Sequence, residues 1–404
     1  MVDWLTLSQT SGSGYELITV TAPPNTGVSR TSDLTVSAGT SSIVVPVLQY
    51  GAQEPGPSGY TGEYLTLEIV SGGTLIFGQS GDLIIHKYLK TVQYSINGGP
   101  WTDWTSYSTF IGQYYYPSSA ATITVEAGDF VRLRGNNSTY GRGYWSSTSP
   151  QGSAYALELM NAGFFGTATF NLSGNILSLI YGDNYYGYHE ITTQYTFCRM
   201  FSRANVIDAS NLILPFNRTT DACCYEMFER CPLLVSAPEL PATELAGQLS
   251  KPDGYYSVGR CYQNMFRDCP SLVNPPSVLP ALTANNDTYN AMFNGCTSLT
   301  TAPVISATTV GYQCMSHMFD GCTSLLAAPD LLATTARTRC YYWMFYGCTS
   351  LSSIKCMLER TTDYALDEWV HGVASAGTFT KSTNASFWTT GDSGIPNNWT
   401  IQNE

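Results

Sequence analysis

The 404-residue sequence predicts a multidomain, mostly β chain. A small β-sandwich over residues 1–50 precedes a second antiparallel β-rich domain over 63–190. An α/β repeat solenoid over 191–356 follows, closed by a C-terminal capping segment over 357–404. Three observations predict this class. Short β-branched segments are punctuated by Gly, Pro and Asn through the first half. A Met-Phe word recurs at a near-fixed period through the second. Charged residues form only 12% of the chain, about half the usual share, and 28 tyrosines and 36 glycines are among the residues that replace them.

The first block contains "YELITVTA" (15–22), "SDLTVSA" (32–38) and "SSIVVPVLQY" (41–50), three strand-like runs. "GAQEPGPSGYTG" (51–62) is dense in Gly and Pro and reads as a linker. Through "WLTLS" (4–8), "ITVTAPPNTGVSRTSDLTVSAG" (18–39) and "IVVPVLQ" (43–49), the block resembles a BACON domain. That resemblance implies an immunoglobulin-like sandwich, with carbohydrate or mucin as the supposed ligand, and supplies no motif residues.

The second region reads as strand, turn, strand at "EYLTLEIVSGGTLIF" (63–77) and "ATITVEAGDFVRLRG" (121–135). "VQYSINGGPWTDW" (92–104) sets Asn97-Gly98 between alternating residues, which predicts a hairpin. "GTATFNLSGNILSLIYG" (166–182) repeats the strand pattern. The region holds no cysteine and many aromatics. Trp101, Trp104, Tyr114, Tyr115, Tyr116, Tyr144, Trp145, Tyr185, Tyr186 and Tyr188 are candidates for a platform facing glycans or a protein partner. The other reading is that alternate rings are sandwich core and the rest cover an oligomer interface.

The third region holds all 12 cysteines. Its word stands at Met200, Met227, Met265, Met292, Met318 and Met344, at steps of 27, 38, 27, 26 and 26 residues. The enlarged step contains a polar insertion, "GQLSKPDGYYSVG" (247–259). The repeated core is Met227, Phe228 and Cys231; Met265, Phe266 and Cys269; Met292, Phe293 and Cys296; Met318, Phe319 and Cys322; Met344, Phe345 and Cys348. A second Cys precedes Met by four residues at Cys223, Cys261, Cys314 and Cys340. Offsets of 0, 4, 5 and 8 predict one face of an α-helix. Such a helix holds the two cysteines of a unit about 12 Å apart, too far to bridge. Neighbouring units at a helix-packing distance of about 8–10 Å are also too far. Reduced, buried cysteine is therefore expected, with Cys198, Cys224 and Cys356 outside the register as the disulfide alternative. Thr288 and Ala204 replace Cys in two units, which argues against obligatory chemistry.

The words "MFNGCTSLTTAP" (292–303) and "MFDGCTSLLAAP" (318–329) resemble the BspA-like, treponemal-type leucine-rich repeat. "NLSGNILSLIYGDNY" (171–185) resembles the usual lead-in, and "DEWVHGVASAGTFTKSTNASFWTTGDSGIPNNWTI" (367–401) resembles the closing segment of such repeats in Bacteroidales and gut-phage proteins.

No enzyme signature emerges. "TGDSGIP" (390–396) echoes a serine-protease word, yet it reads better as a turn built on Gly391, Asp392 and Gly394. Glu126, Asp129 and Asp183 occupy turn-like settings. Scattered histidines (His86, His189, His317, His371) and the lack of a C-x₂-C pair argue against zinc. No cofactor is expected. A formal net charge of −12 without a basic stripe argues against nucleic acid, and no run is apolar enough for membrane insertion. The N-terminus shows no secretory signal, so with Met1 as the true start the chain is not exported by the general route. The resemblances and this start favour a virion protein, an exposed fibre or appendage of a crAss-like phage. It would be assembled in the bacterial cytoplasm, contact other virion proteins and copies of itself, and adhere to bacterial-surface or mucus glycans. The alternative is a cell-surface adhesin of gut Bacteroidales.

Overall fold

The computed structural model describes residues 6–7, 20–21, 30–38, 41–49, 64–78, 91–105, 108–111, 114–117, 122–135, 163–249, 259–362 and 364–404. The chain divides into two compact units, residues 1–61 and 62–404. In the first, β1 (Thr6–Leu7) pairs antiparallel with β2 (Val20–Thr21), and β3 (Arg30–Ala38) with β4 (Ser41–Gln49). The expected linker at 51–62 lies outside the described residues.

The second unit opens on sheets. β5 (Leu65–Ser71), β7 (Thr91–Ile96), β8 (Thr102–Thr105), β12 (Phe130–Arg134), β14 (Thr169–Asn175) and β15 (Asn211–Ile213) form one sheet in the order β15-β14-β5-β12-β7-β8. β6 (Gly73–Gly78) is flanked by β11 (Thr122–Val125) and β13 (Gly163–Gly166). β9 (Ser108–Ile111) pairs with β10 (Tyr114–Pro117). The Asn97-Gly98 turn joins β7 to β8, as the sequence predicts; Asn97 and Gly98 both take positive φ. Alternation is visible in β12, where Val131 and Leu133 are buried and their neighbours are less so. A four-residue helix, α1 (Ser178–Tyr181), and a 3-10 turn (Gly182–Gly187) follow β14.

β14 pairs antiparallel with β5 but parallel with β15. That parallel contact starts a ladder continued by the bridges Asp208↔Ser236 and Ser236↔Asn274, and further on by Thr301↔Ala327 and Ala327↔Ser353. It ends in β16 (Ser353–Cys356), β17 (Thr378–Lys381) and β18 (Thr400–Asn403). A second line of short parallel pairs runs through Thr283–Ala284 and Thr309–Val310. The C-terminal half is a β-solenoid.

The α-helix expected at each Met-Phe-Cys word is absent. These segments are tandem turns, and every fourth residue is left-handed: Tyr195, Arg199 and Arg203 in one coil, Ala222, Glu226 and Arg230 in the next. The hydrogen bonds explain why. Within a coil, alternate N–H groups reach back three residues, as Met200 does to Phe197 and Ala204 to Phe201. The intervening ones cross to the next coil, Phe197 to Cys223 (2.6 Å), Arg199 to Tyr225 (2.9 Å) and Phe201 to Met227 (2.9 Å). An α-helix spends each interior N–H on its own carbonyls. Here half of them fasten one coil to its neighbour, so the repeat trades helical bonds for stacking and its backbone groups are still satisfied. The same wiring recurs from Phe228 to Met265, Phe293 to Met318 and Phe345 to Trp369. Trp369 thus occupies the Met position of the last coil.

Stacking aligns like residues. Phe201, Phe228, Phe266, Phe293, Phe319 and Phe345 form a column with ring centroids 5.4–5.7 Å apart. Phe164 and Phe77 extend it into the sheets at 6.1 and 4.9 Å. The sheets and the solenoid therefore share one continuous core. Leu234, Leu272, Leu299, Leu325 and Leu351 make a second buried column. The enlarged step departs and returns near two glycines with positive φ, Gly247 and Gly259. A Cβ on Gly259 would meet the Ala246 carbonyl oxygen at 2.8 Å, so only glycine fits there.

All 12 cysteines are free and buried. The trailing one of each coil donates its thiol proton to the phenylalanine carbonyl of the preceding coil. The pairs are Cys231 to Phe201, Cys269 to Phe228, Cys296 to Phe266, Cys322 to Phe293 and Cys348 to Phe319, all at 3.0–3.1 Å. Burial pushes the Cys314 and Cys356 thiols up to about 12. At the leading position of the Met292 coil, Thr288 donates to the Asn285 carbonyl at 2.9 Å.

Candidate functional site

Of the aromatics expected to form a platform, Trp101 is held in a lock. It packs edge-on against Tyr64 at 5.1 Å and lies under the Arg134 guanidinium at 4.2 Å. Arg134 donates through Nη1 to both Asp183 carboxylate oxygens at 2.7 and 2.8 Å and through Nε to Gln93 at 2.8 Å. Tyr64 donates its hydroxyl to Asp183 at 2.9 Å, and burial first, then Asp183, raises its pKa. One face of Trp101 is thereby covered by a cation. Trp104 is 2% and Tyr185 4% exposed, so both are core; Trp104 packs on Phe77, Tyr94 and Phe164. Tyr188, 46% exposed, stacks flat on Tyr181 at 3.8 Å. Tyr114, Tyr115 and Tyr116 sit in β10, with Tyr115 opposite Phe110. Their side chains and that of Tyr186 lie outside the described residues, as do Tyr144 and Trp145 altogether.

The turn-like acidic residues have local partners. Asp129 accepts the Glu126 N–H at 2.8 Å and the Asn97 amide at 2.7 Å, closing two turns. In the protease-like word, Gly391 has a φ of 119° and Gly394 bonds back to Gly391, the turn the sequence predicts. His371 approaches Asp392 through Nδ1 at 2.7 Å, and Ser393 Oγ accepts the Glu368 N–H at 3.0 Å. Among the described residues no cluster of His, Cys, Asp or Glu could hold a metal ion, and no helix is long and apolar enough to cross a membrane.

A different surface gathers aromatic rings. Across the turns, one column aligns Arg199, Glu226, Asn264, Ala291, His317, Trp343 and Glu368, buried in the middle coils and half-buried at His317 and Trp343. A neighbouring column aligns Ser202, Glu229, Arg267, Asn294, Asp320, Tyr346 and His371. Early coils carry ion pairs here, Arg199 with Glu226 at 2.5 Å and Arg230 with Asp268 at 3.4 Å. Burial, then the neighbouring Glu226, raises the Glu229 pKa.

Later coils replace these charges with rings. Trp343 stacks on Tyr346 at 4.4 Å and on Tyr342 at 5.5 Å; Tyr346 stacks on His371 at 4.7 Å. His317 contacts Tyr342 and Trp343, each at 5.3 Å. Asp320 and Asp392 flank the strip by holding His317 (3.0 Å) and His371 (2.7 Å). All five rings are half-buried. A rigid row of half-open rings with polar handles suits the C–H faces of a sugar chain or a protein surface.

The sequence reading overlooked this strip. Its signal was "YYWMFYGC" (341–348), where Trp343 follows Glu226, Asn264, Ala291 and His317 in its column and Tyr346 follows Glu229, Arg267, Asn294 and Asp320. Residues 2–49 match the BACON family, described as a putative binding domain, N-terminal. No curated protein and no solved structure matches the chain.

Proposed function

We propose that this chain is a non-enzymatic recognition protein that adheres to glycans through the aromatic edge of its solenoid. The observation that carries the reading is the Tyr342–Trp343–Tyr346–His371 strip, a stacked row mounted on a rigid repeat. The N-terminal match to a putative binding domain supports it. Within this reading the first unit is an immunoglobulin-like sandwich and the solenoid a relative of the BspA-like repeat. The chain serves as an exposed fibre or appendage of a gut phage, beside other virion proteins and copies of itself.

Glycan arrays and binding to Bacteroidales surface polysaccharide test adhesion, and mass spectrometry of purified particles tests location. The proposal expects glycan binding, and this chain on intact particles in a defined copy number. Recovery only from washed bacterial cells would move the same adhesive role to a bacterial surface protein. Absence of any glycan binding would end the adhesive reading.

A further inference from the structure

Beside the aromatic strip, between the last coil and the closing segment, lies a cavity of about 280 Å³. Small-molecule sites range from about 300 to 1,000 Å³, so this one suits a single ring with its substituents. Phe387 and Trp388 form an aromatic wall, stacked on each other at 4.6 Å. Trp388 is fixed from behind by Trp369 at 5.8 Å and Phe379 at 5.0 Å, so the wall is set before any ligand arrives. Tyr364, 64% exposed, provides a third ring at the rim.

Polar groups converge on the same space. Asp367, Thr361 and Ser393 line it, and the Thr361 hydroxyl donates to the Thr362 carbonyl at 3.2 Å. Ser393 Oγ accepts the Glu368 N–H and stands 3.5 Å from Asp367 Oδ1, a long and weak contact that leaves the carboxylate able to accept from a ligand. The Trp388 indole N–H is buried and has no hydrogen-bond partner. Such a group costs about 1–3 kcal/mol, and this one stays on the protein side of the wall.

We propose that this cavity is a subsite for one neutral pyranose unit. The Phe387–Trp388 wall and Tyr364 take the sugar's apolar C–H faces, Asp367 accepts from its hydroxyls, and Ser393 and Thr361 complete the polar rim. A carboxylate at the site and a chain of net charge −12 select against uronic acids. The inference rests on the glycan-adhesion reading and adds to it a location and a class of sugar.

Saturation-transfer NMR on the full chain tests it, with methyl glycosides of glucose, galactose, mannose, N-acetylglucosamine and glucuronic acid as probes. At least one neutral glycoside should receive saturation, and the glucuronide none. Tyr364→Asn removes the rim ring while suiting the left-handed φ of 60° at that position. It and Asp367→Asn should each raise the Kd about tenfold or more, with thermal unfolding close to that of the parent. Transfer to no neutral glycoside, equal transfer to the glucuronide, or unchanged Kd in both variants would overturn the subsite. Glycan-array binding by a chain that fails these tests would leave adhesion standing on the strip alone. Loss of both would remove the parent reading as well.

Discussion

The Cys322 thiol donates to the Phe293 carbonyl oxygen, one coil back, at 3.1 Å. That oxygen also accepts the Cys296 N–H at 3.0 Å. The repeated cysteine is thus a small apolar filler with one weak donor, aimed where the coil in front presents a lone pair. Cys322→Ala loses the donor and leaves a small void. It should lower the unfolding free energy by about 1–2 kcal/mol in urea titration, with an unchanged slope. An equal loss in glycan binding would mean that the thiol does more than pack.

Buried thiols also set the alkaline limit. Cys314 and Cys356 ionise at about 12 in the fold, above the ordinary value of 9.0, because burial disfavours the thiolate. Their contribution is fully present below the unfolded-state pKa and fades as pH rises from about 9 toward 12, since only the unfolded chain releases those protons. Thermal unfolding should be flat between pH 7 and 8.5 and shift downward above pH 9. In the same range iodoacetamide should label thiols at the rate of unfolding, not at the faster rate of exposed cysteine.

Gly295, Gly321, Gly347 and Gly372 align at φ of 70–75° where the turns approach one another. A Cβ on Gly347 would meet Gly321 Cα at 3.9 Å, an ordinary contact, so its cost is conformational. Gly347→Ala should destabilise by about 1–2 kcal/mol. Gly347→Asn should cost less, because Asn tolerates the left-handed region. Differential scanning calorimetry of the two variants checks this order.

The phenylalanine column carries the largest single term. Phe293 is fully buried between Phe266 at 5.6 Å and Phe319 at 5.5 Å. Phe293→Ala should cost about 3–5 kcal/mol. Phe293→Leu, which keeps most of the volume and loses the stacking, should cost about 1–2 kcal/mol. Chemical denaturation of both variants separates filling from stacking.

Much of this was readable in the sequence. The word, its period and the burial of Met, Phe and Cys follow from in-chain repetition. The helix did not survive, for a physical reason: a chain of turns with a left-handed residue every fourth position also brings residues i, i+4 and i+8 to one side. Arg199, Glu226 and Trp343 take the same positive φ, so the sign lay only in the coils that place Gly, Asn or Asp there, as in Asp287 and Gly295 or Asn264 and Asp268. Such residues are poor in helix interiors and tolerant of positive φ. Trp101 and Trp104 read alike in sequence, and only the strand pairing and the Arg134–Asp183 pair separate a locked ring from a core one. The solenoid strip was hidden because its rings interleave with the repeated Met344 and Phe345. It shows only when aligned columns are compared between coils.

Binding to glycans by the parent chain and by Trp343→Ala and Tyr346→Ala tests the central claim most directly. Both side chains are half-buried, so thermal unfolding should stay close to the parent value. The account predicts that each substitution weakens glycan binding about tenfold or more, as truncation of a stacked anchor does. Unchanged binding in both variants, with the fold intact, would contradict it.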